Sequence, residues 1–211
     1  MTGRTAKGSD SRRRLIDAAI VGMRTSGLSG AGINEIARSG GAPKGSIYHL
    51  FPGGKTQIAC ESMQVYSQGV ADRIDAAMTG ERSPEAKVRG LFEALAKRLE
   101  DGQFRLSCAA GAICTDLVDD MEPERQAVAA AFAQWLDRIA GHCDFIADRR
   151  RARSFAGLLL SAIEGAYLRG RAEKSGAAFR QAGRWLAELA AQQVAAPRQV
   201  AAPRPASRAM R

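Results

Sequence analysis

The stretch from Lys44 to His49 holds the most open chemistry in this sequence. Lys44, Ser46, Tyr48 and His49 are all hydrogen-bond donors, no carboxylate falls among them, and Lys55 follows shortly after. Donors with no acid to occupy them suit phosphate oxygens and base edges. Gly45 and Ser46 are small enough to let a helix backbone come close to a nucleic acid. Catalysis asks for other groups. His142 and Cys143 are neighbours, but successive residues of a helix point about 100° apart and do not make a nucleophile–base pair. Cys60, Cys108, Cys114 and Cys143 form no CxxC pair, and the only histidines are His49 and His142. Zinc-ligand spacing is therefore absent, as are a carboxylate cluster and a glycine-rich phosphate loop, so neither a metal nor a cofactor is expected. The four thiols are expected to be reduced and partly buried.

Something must hold those donors outward. Apolar residues recur at helical spacing nearly throughout, which predicts an all-α fold of about nine helices. Leu15, Ala18, Ala19, Gly22 and Met23 mark a first helix that Gly27 should stop. A short helix over Ile33 to Ser39, the pair Gly40-Gly41 and a second short helix opened by Pro43 follow. This is a helix-turn-helix layout whose second short helix would enter a major groove, held by a small core of Ile36, Ala37, Ile47, Leu50 and Phe51. A longer helix then runs from near Lys55 to about Met78. Ser83 reads as an N-cap with Pro84 at the first helical position, and helical patterns fill roughly 84–101, 106–119, 123–143, 149–173 and 176–194. The expected organisation is a DNA-binding domain over 10–70, a ligand-binding and dimerisation domain over 71–194, and a disordered basic tail over 195–211.

The charge follows that division. Of a net +9, residues 1–55 hold nine Lys/Arg against three Asp/Glu, and residues 196–211 hold Arg198, Arg204, Arg208 and Arg211 with no acid. A basic end on a near-neutral body points to a polyanion partner for that end. Arg12, Arg13 and Arg14 stand ahead of the first helix as further candidates for phosphate contact or as a solvated charge run. No apolar run approaches the about 18 residues of a membrane span, and the polar, basic start has no secretory h-region, so the cytoplasm is the expected location. An architectural, sequence-blind DNA binder would share the basic end, but would not need an apolar body larger than its DNA-binding part. A small helical enzyme lacks its catalytic groups.

Gly32-Ile33-Asn34-Glu35-Ile36-Ala37, the turn through Gly41, and Lys44-Gly45-Ser46-Ile47-Tyr48-His49-Leu50-Phe51 followed by Lys55 resemble the signature of the TetR family over about residues 12–70. The resemblance implies a repressor that binds a palindromic double-stranded operator as a dimer and is released by a small molecule; a constitutive regulator without ligand is the alternative. It implies base-edge contacts from Lys44, Gly45 and Ser46, phosphate contacts from Tyr48 and His49, a phosphate clamp at Lys55, and a place at the DNA for Gly32. Phe51-Pro52-Gly53-Gly54-Lys55 and Cys108-Ala109-Ala110-Gly111-Ala112, then Phe132 and Trp135, are similar to the LmrA/YxaF-like branch, although Ser107-Cys108-Ala109 stands where that branch often has Gly-Cys-Pro.

By the same resemblance, some of Phe92, Leu95, Leu99, Leu117, Phe132, Trp135, Ile163 and Tyr167 line a cavity. With so few charges among these residues, the expected effector is hydrophobic or aromatic, and neutral or cationic. The last two helices are apolar on more than one side, through Phe155, Leu159, Ala162 and Ala166, then Phe179, Leu186 and Leu189. A helix apolar on two sides must be covered on two sides, which predicts a homodimer built on a four-helix bundle.

Overall fold

In the computed structural model, which describes residues 3–80 and 83–195, nine helices carry all the regular structure. α1 (Gly3–Gly30) buries Leu15, Ala19 and Met23 along one stripe. Against that stripe close Ile36 and Ala37 of α2 (Ile33–Ser39), Ile47 of α3 (Lys44–Leu50), Phe51 in the turn beyond it, and the start of α4 (Gly54–Met78) with Ile58, Ala59 and Met63. The turn between the short helices has a specific design. The Ala42 N–H donates to the Ala37 carbonyl and the Gly41 N–H to the Arg38 carbonyl, with Gly41 at φ 63, which is the Schellman arrangement that ends a helix on a left-handed residue. Gly40 is needed for closeness: a Cβ there would sit 2.9 Å from the Leu15 side chain.

The helical dihedrals of α1 break at Gly27, as the sequence suggests (φ 72, ψ −176), and a short further turn runs on to Gly30, where the Asp116 carboxylate accepts from the Ser29 N–H at 2.8 Å. A side chain at Gly27 would collide with that carboxylate.

α4, at 25 residues about 37 Å long, leaves the reading unit and enters the body, where Tyr66, Ala71, Ile74 and Met78 are buried. There it lies along α7 (Glu122–His142). The Trp135 indole donates to the Ser67 carbonyl at 3.0 Å, and Asp75 pairs with His142 and Arg138. α5 (Pro84–Asp101) starts as the sequence suggests, with Pro84 in its first turn and the Ser83 hydroxyl accepting from the Ala86 N–H. α8 (Arg149–Glu173) is capped by Asp148, which accepts from two N–H groups, and ends on Lys174 in the left-handed conformation. α9 (Ala177–Ala195) packs closely on α5, since Gly183 gives way to Phe92 and Arg180 grips both Glu93 and Glu100.

α6 (Ala109–Cys114) is much shorter than the 106–119 pattern suggests. Ser107 is held outside it by hydrogen bonds to α1, and Thr115 to Met121 turn without a helix. All four cysteines are free. Among the described residues no helix is long and apolar enough to cross a membrane. The tail arginines Arg198, Arg204, Arg208 and Arg211 lie outside the described residues.

Candidate nucleic-acid interface and internal cavity

α3 has one face in the core and one in water. Ile47, and Phe51 just beyond the helix, are fully buried; Gly45, Tyr48 and His49 are exposed, Tyr48 by 53%, and Ser46 is half-buried. Pro43 stands one residue earlier than the sequence suggests, as the N-cap rather than in the first turn (φ −59, ψ 140). The Lys44 side chain lies outside the described residues. Gly32 caps α2 without a side-chain hydrogen bond, so the start of that helix stays uncluttered. At the start of α4, the Gly53 N–H donates to the Gln57 side chain at 2.8 Å, and Gly54 adopts φ 60 beside the edge of the Tyr48 ring. Lys55 sits in that first turn, half-buried, where helix N–H groups and the helix dipole favour an anion. The fold thus brings Tyr48 and Lys55, seven positions apart, to one edge.

Two of the three leading arginines serve the scaffold. Arg12 grips Glu61 with its guanidinium, donates to the Leu50 carbonyl at 3.3 Å and stacks 4.3 Å from the Phe51 ring centre, tying α1, the end of α3 and α4 together. Arg14 donates to the Gly40 carbonyl and to Ser11. Arg13 stays exposed. Arg38 is paired with Glu35, whose carboxyl that contact holds below its ordinary range.

The reading unit and the body meet at a polar seam that the sequence reading missed. Arg24, buried in α1, donates to the Ser107 carbonyl at 2.9 Å, and the Ser107 N–H returns a bond to the Arg24 carbonyl at 2.8 Å. Asp116 reaches Ser29, and Arg171 of α8 reaches the Thr25 carbonyl. A signal was present in the sequence: Arg24 interrupts the apolar stripe Ile20–Leu28 of α1.

Behind the seam, α4, α5, α7 and α8 line a partly open cavity of about 350 Å³. Of the residues expected to line it, Leu95, Trp135 and Tyr167 do, together with Ile163. Phe92 and Leu99 do not: Phe92 packs under α9 beside Phe179, and Leu99 lies against Gly170. Leu117 is half-buried away from the cavity, and Phe132 lies edge-on behind Trp135, facing an outer groove with Cys114 and Leu168. Tyr66, Val70, Ile74 and Leu91 fill the places left. Burial pushes the Tyr167 hydroxyl up to about 12 and lifts the Glu164 carboxyl above its ordinary value, even though the Cys108 thiol bonds to it. Burial also raises the Cys108 thiol well above its usual range, so it is a poor nucleophile.

Comparison with known proteins fixes the family. Residues 84–185 match the C-terminal domain of LmrA/YxaF-like transcriptional regulators. An uncharacterised HTH-type transcriptional regulator of Mycobacterium tuberculosis is 33% identical over 171 residues, 77% of this chain and 85% of that protein. The chain belongs to the TetR family. The HTH-type transcriptional regulator LmrA of Bacillus subtilis is 29% identical over 126 residues, covering 60% of this chain and 67% of LmrA. The fold agrees: a TetR regulatory protein from Rhodobacter sphaeroides superposes with a TM-score of 0.73 at 23% identity, over 84% of this chain and 97% of that one. This TetR-family chain is a DNA-binding transcriptional regulator and not an enzyme.

In this TetR-family regulator the residues expected at a subunit interface mostly point elsewhere. Phe155, Leu159, Ala166 and Phe179 are buried within the single chain, because α7 and α9 cover α8 and α5 covers α9. Ala162, Leu186 and Leu189 are half-buried. The large apolar side chains left in water on these two helices are Leu158, Leu168, Trp185 and Val194, with Leu168 66% and Trp185 68% exposed.

Proposed function

We propose that the protein is a dimeric repressor that binds a palindromic operator through α3 and the start of α4, and lets go when a small, mostly apolar molecule fills the cavity beside α4. The observation that carries this reading is the continuity of α4. Lys55 stands in its first turn at the DNA-facing edge, and Tyr66, Val70 and Ile74 of the same helix line the cavity. A ligand that shifts one end of a rigid helix shifts the other. By linkage, a tenfold loss of operator affinity needs about 1.4 kcal/mol of difference in ligand binding between the two states. The exposed Leu158, Leu168 and Trp185 support a second subunit against the outer faces of α8 and α9, since apolar side chains of this size are normally covered.

The test uses the DNA that the full-length protein selects from a random duplex library. Tyr48→Ala with Lys55→Ala should weaken binding about 1,000-fold, as expected for four lost phosphate contacts in the dimer, and flatten the salt dependence by about two in the log–log slope, one for each lost Lys55 charge. Thermal melting should stay near wild type, because Tyr48 is exposed and Lys55 is at a helix end. Unchanged affinity in the double variant would show that this edge does not meet DNA.

A further inference from the structure

We propose that the cavity is built for an apolar acid: a small molecule with a hydrocarbon or aromatic body and one carboxylate, received by Arg73 of α4 and Arg98 of α5. The proposal rests on the effector reading above and gives that effector its charge. Most of the wall is aliphatic or aromatic, yet Arg73 and Arg98 both line it. Among the described residues neither guanidinium has a hydrogen bond or ion pair. The acids nearest Arg98 in sequence are already taken, Glu100 by Arg180 and Asp101 by Lys97. Arg73 is half-buried and Arg98 exposed at the rim, whereas two other half-buried arginines are matched with acids, Arg12 with Glu61 and Arg180 with Glu93 and Glu100.

The absence of a partner has a cost that a ligand can remove. Burial, and after it the positive charge of Arg98, draw the Arg73 guanidinium below its ordinary pKa, and Arg24 adds to the same field. Arginine forks bind carboxylates with two parallel hydrogen bonds, and do so most strongly where water is excluded. Glu164 is the cavity's own acid, but burial opposes its charge, and its partner is the Cys108 thiol rather than either arginine. The adjoining surface has the same sign. A cleft lined by Arg24, Lys97 and Leu106 shares Ala94 and Arg98 with the cavity, so Arg98 stands at the junction of the two. The expectation of a neutral or cationic effector is thus reversed. Nothing in the sequence sets Arg73 and Arg98 apart from other arginines, and only the packing of α4 against α5 makes them cavity wall.

Position gives the charge a use. Arg24 lies within electrostatic reach of Arg73 and 5.6 Å from the ring centre of Tyr66, itself a cavity residue, and Arg24 is the α1 residue bonded to Ser107. An anion held by Arg73 and Arg98 therefore acts on the seam between cavity and reading unit.

Isothermal titration of the full-length protein with decanoate, decanol and decylamine separates the terms, since the three share one hydrocarbon body. Decanoate should bind at least about tenfold more tightly than the other two, the worth of a charge-assisted hydrogen bond in a dry site. Arg73→Gln with Arg98→Gln should bring decanoate down to the level of decanol and leave decanol unchanged, and Arg98→Lys should keep most of the preference. Equal binding of decanol and decanoate, or tighter binding of decylamine that is lost in Glu164→Gln, overturns the acid while leaving an apolar effector in place. Failure of all three probes to bind overturns the acid and the effector reading together.

Discussion

Along α3 and the first turn of α4, Tyr48 and His49 stand in water with Lys55 half-buried near them, while Ile47, Phe51 and Ile58 close inward. Around the cavity the arrangement is inverted: Arg73 and Arg98 border a partly open apolar space. The outer set can wait for a long polyanion at little cost, because water solvates it meanwhile. The inner set, Arg73 half-buried and Arg98 exposed at the rim, has no acid beside an apolar wall, which favours an occupant that brings its own negative charge. Positive charge therefore serves extended, salt-sensitive contact on one side of the molecule and pocket recognition on the other. α4 and the Arg24–Ser107 seam are the physical links between the two regions.

Cutting the seam is the harshest test of that pairing. Arg24→Leu removes the donor to a buried carbonyl and should cost about 1–3 kcal/mol in denaturant unfolding. It should also abolish most of the difference in DNA affinity measured with and without decanoate, while affinity without decanoate stays close to wild type. If the full difference survives, α4 alone carries the coupling and the seam only supports the fold.

A smaller effect comes from Glu164. Its carboxyl is raised above 4.5 by burial, among neighbours that include the Cys108 thiol and Tyr167. The contribution of this group is fully present below the ordinary value and is lost as pH rises through the raised one. Glu164→Gln should therefore melt like wild type in acid and above it at neutral and alkaline pH. Parallel melting curves at all pH values would show that Glu164 is solvated.

What could be read from the sequence was local. Gly40-Gly41 announced a tight turn, Ser83-Pro84 a helix start, and the acid-free run from Lys44 to His49 an outward donor face, because each depends on residues a few positions apart. What could not be read depended on distant partners. Gly27 reads as a helix stop and does break the helical dihedrals, but the further turn to Gly30 is held by Asp116, 89 positions on. The 106–119 pattern looks like one helix, but Ser107 is spent on Arg24. Phe155, Leu159 and Phe179 look like partner-facing residues, because a second apolar side does not reveal whether a neighbouring helix of the same chain covers it. Phe92 and Trp135 look alike as core aromatics, and only the packing puts Trp135 at the cavity and Phe92 under α9.

The most direct test of the account is hydroxyl-radical footprinting of the full-length protein on its selected duplex, with Trp185→Arg alongside. Two reading helices related by a two-fold axis should protect two tracts on one face of the duplex about one helical turn, ~34 Å, apart. Trp185→Arg, which places a charge on the proposed subunit contact, should need far more protein to give the same pair. A single protected tract, or a uniform coating of the duplex unaffected by Tyr48→Ala with Lys55→Ala, would contradict the account.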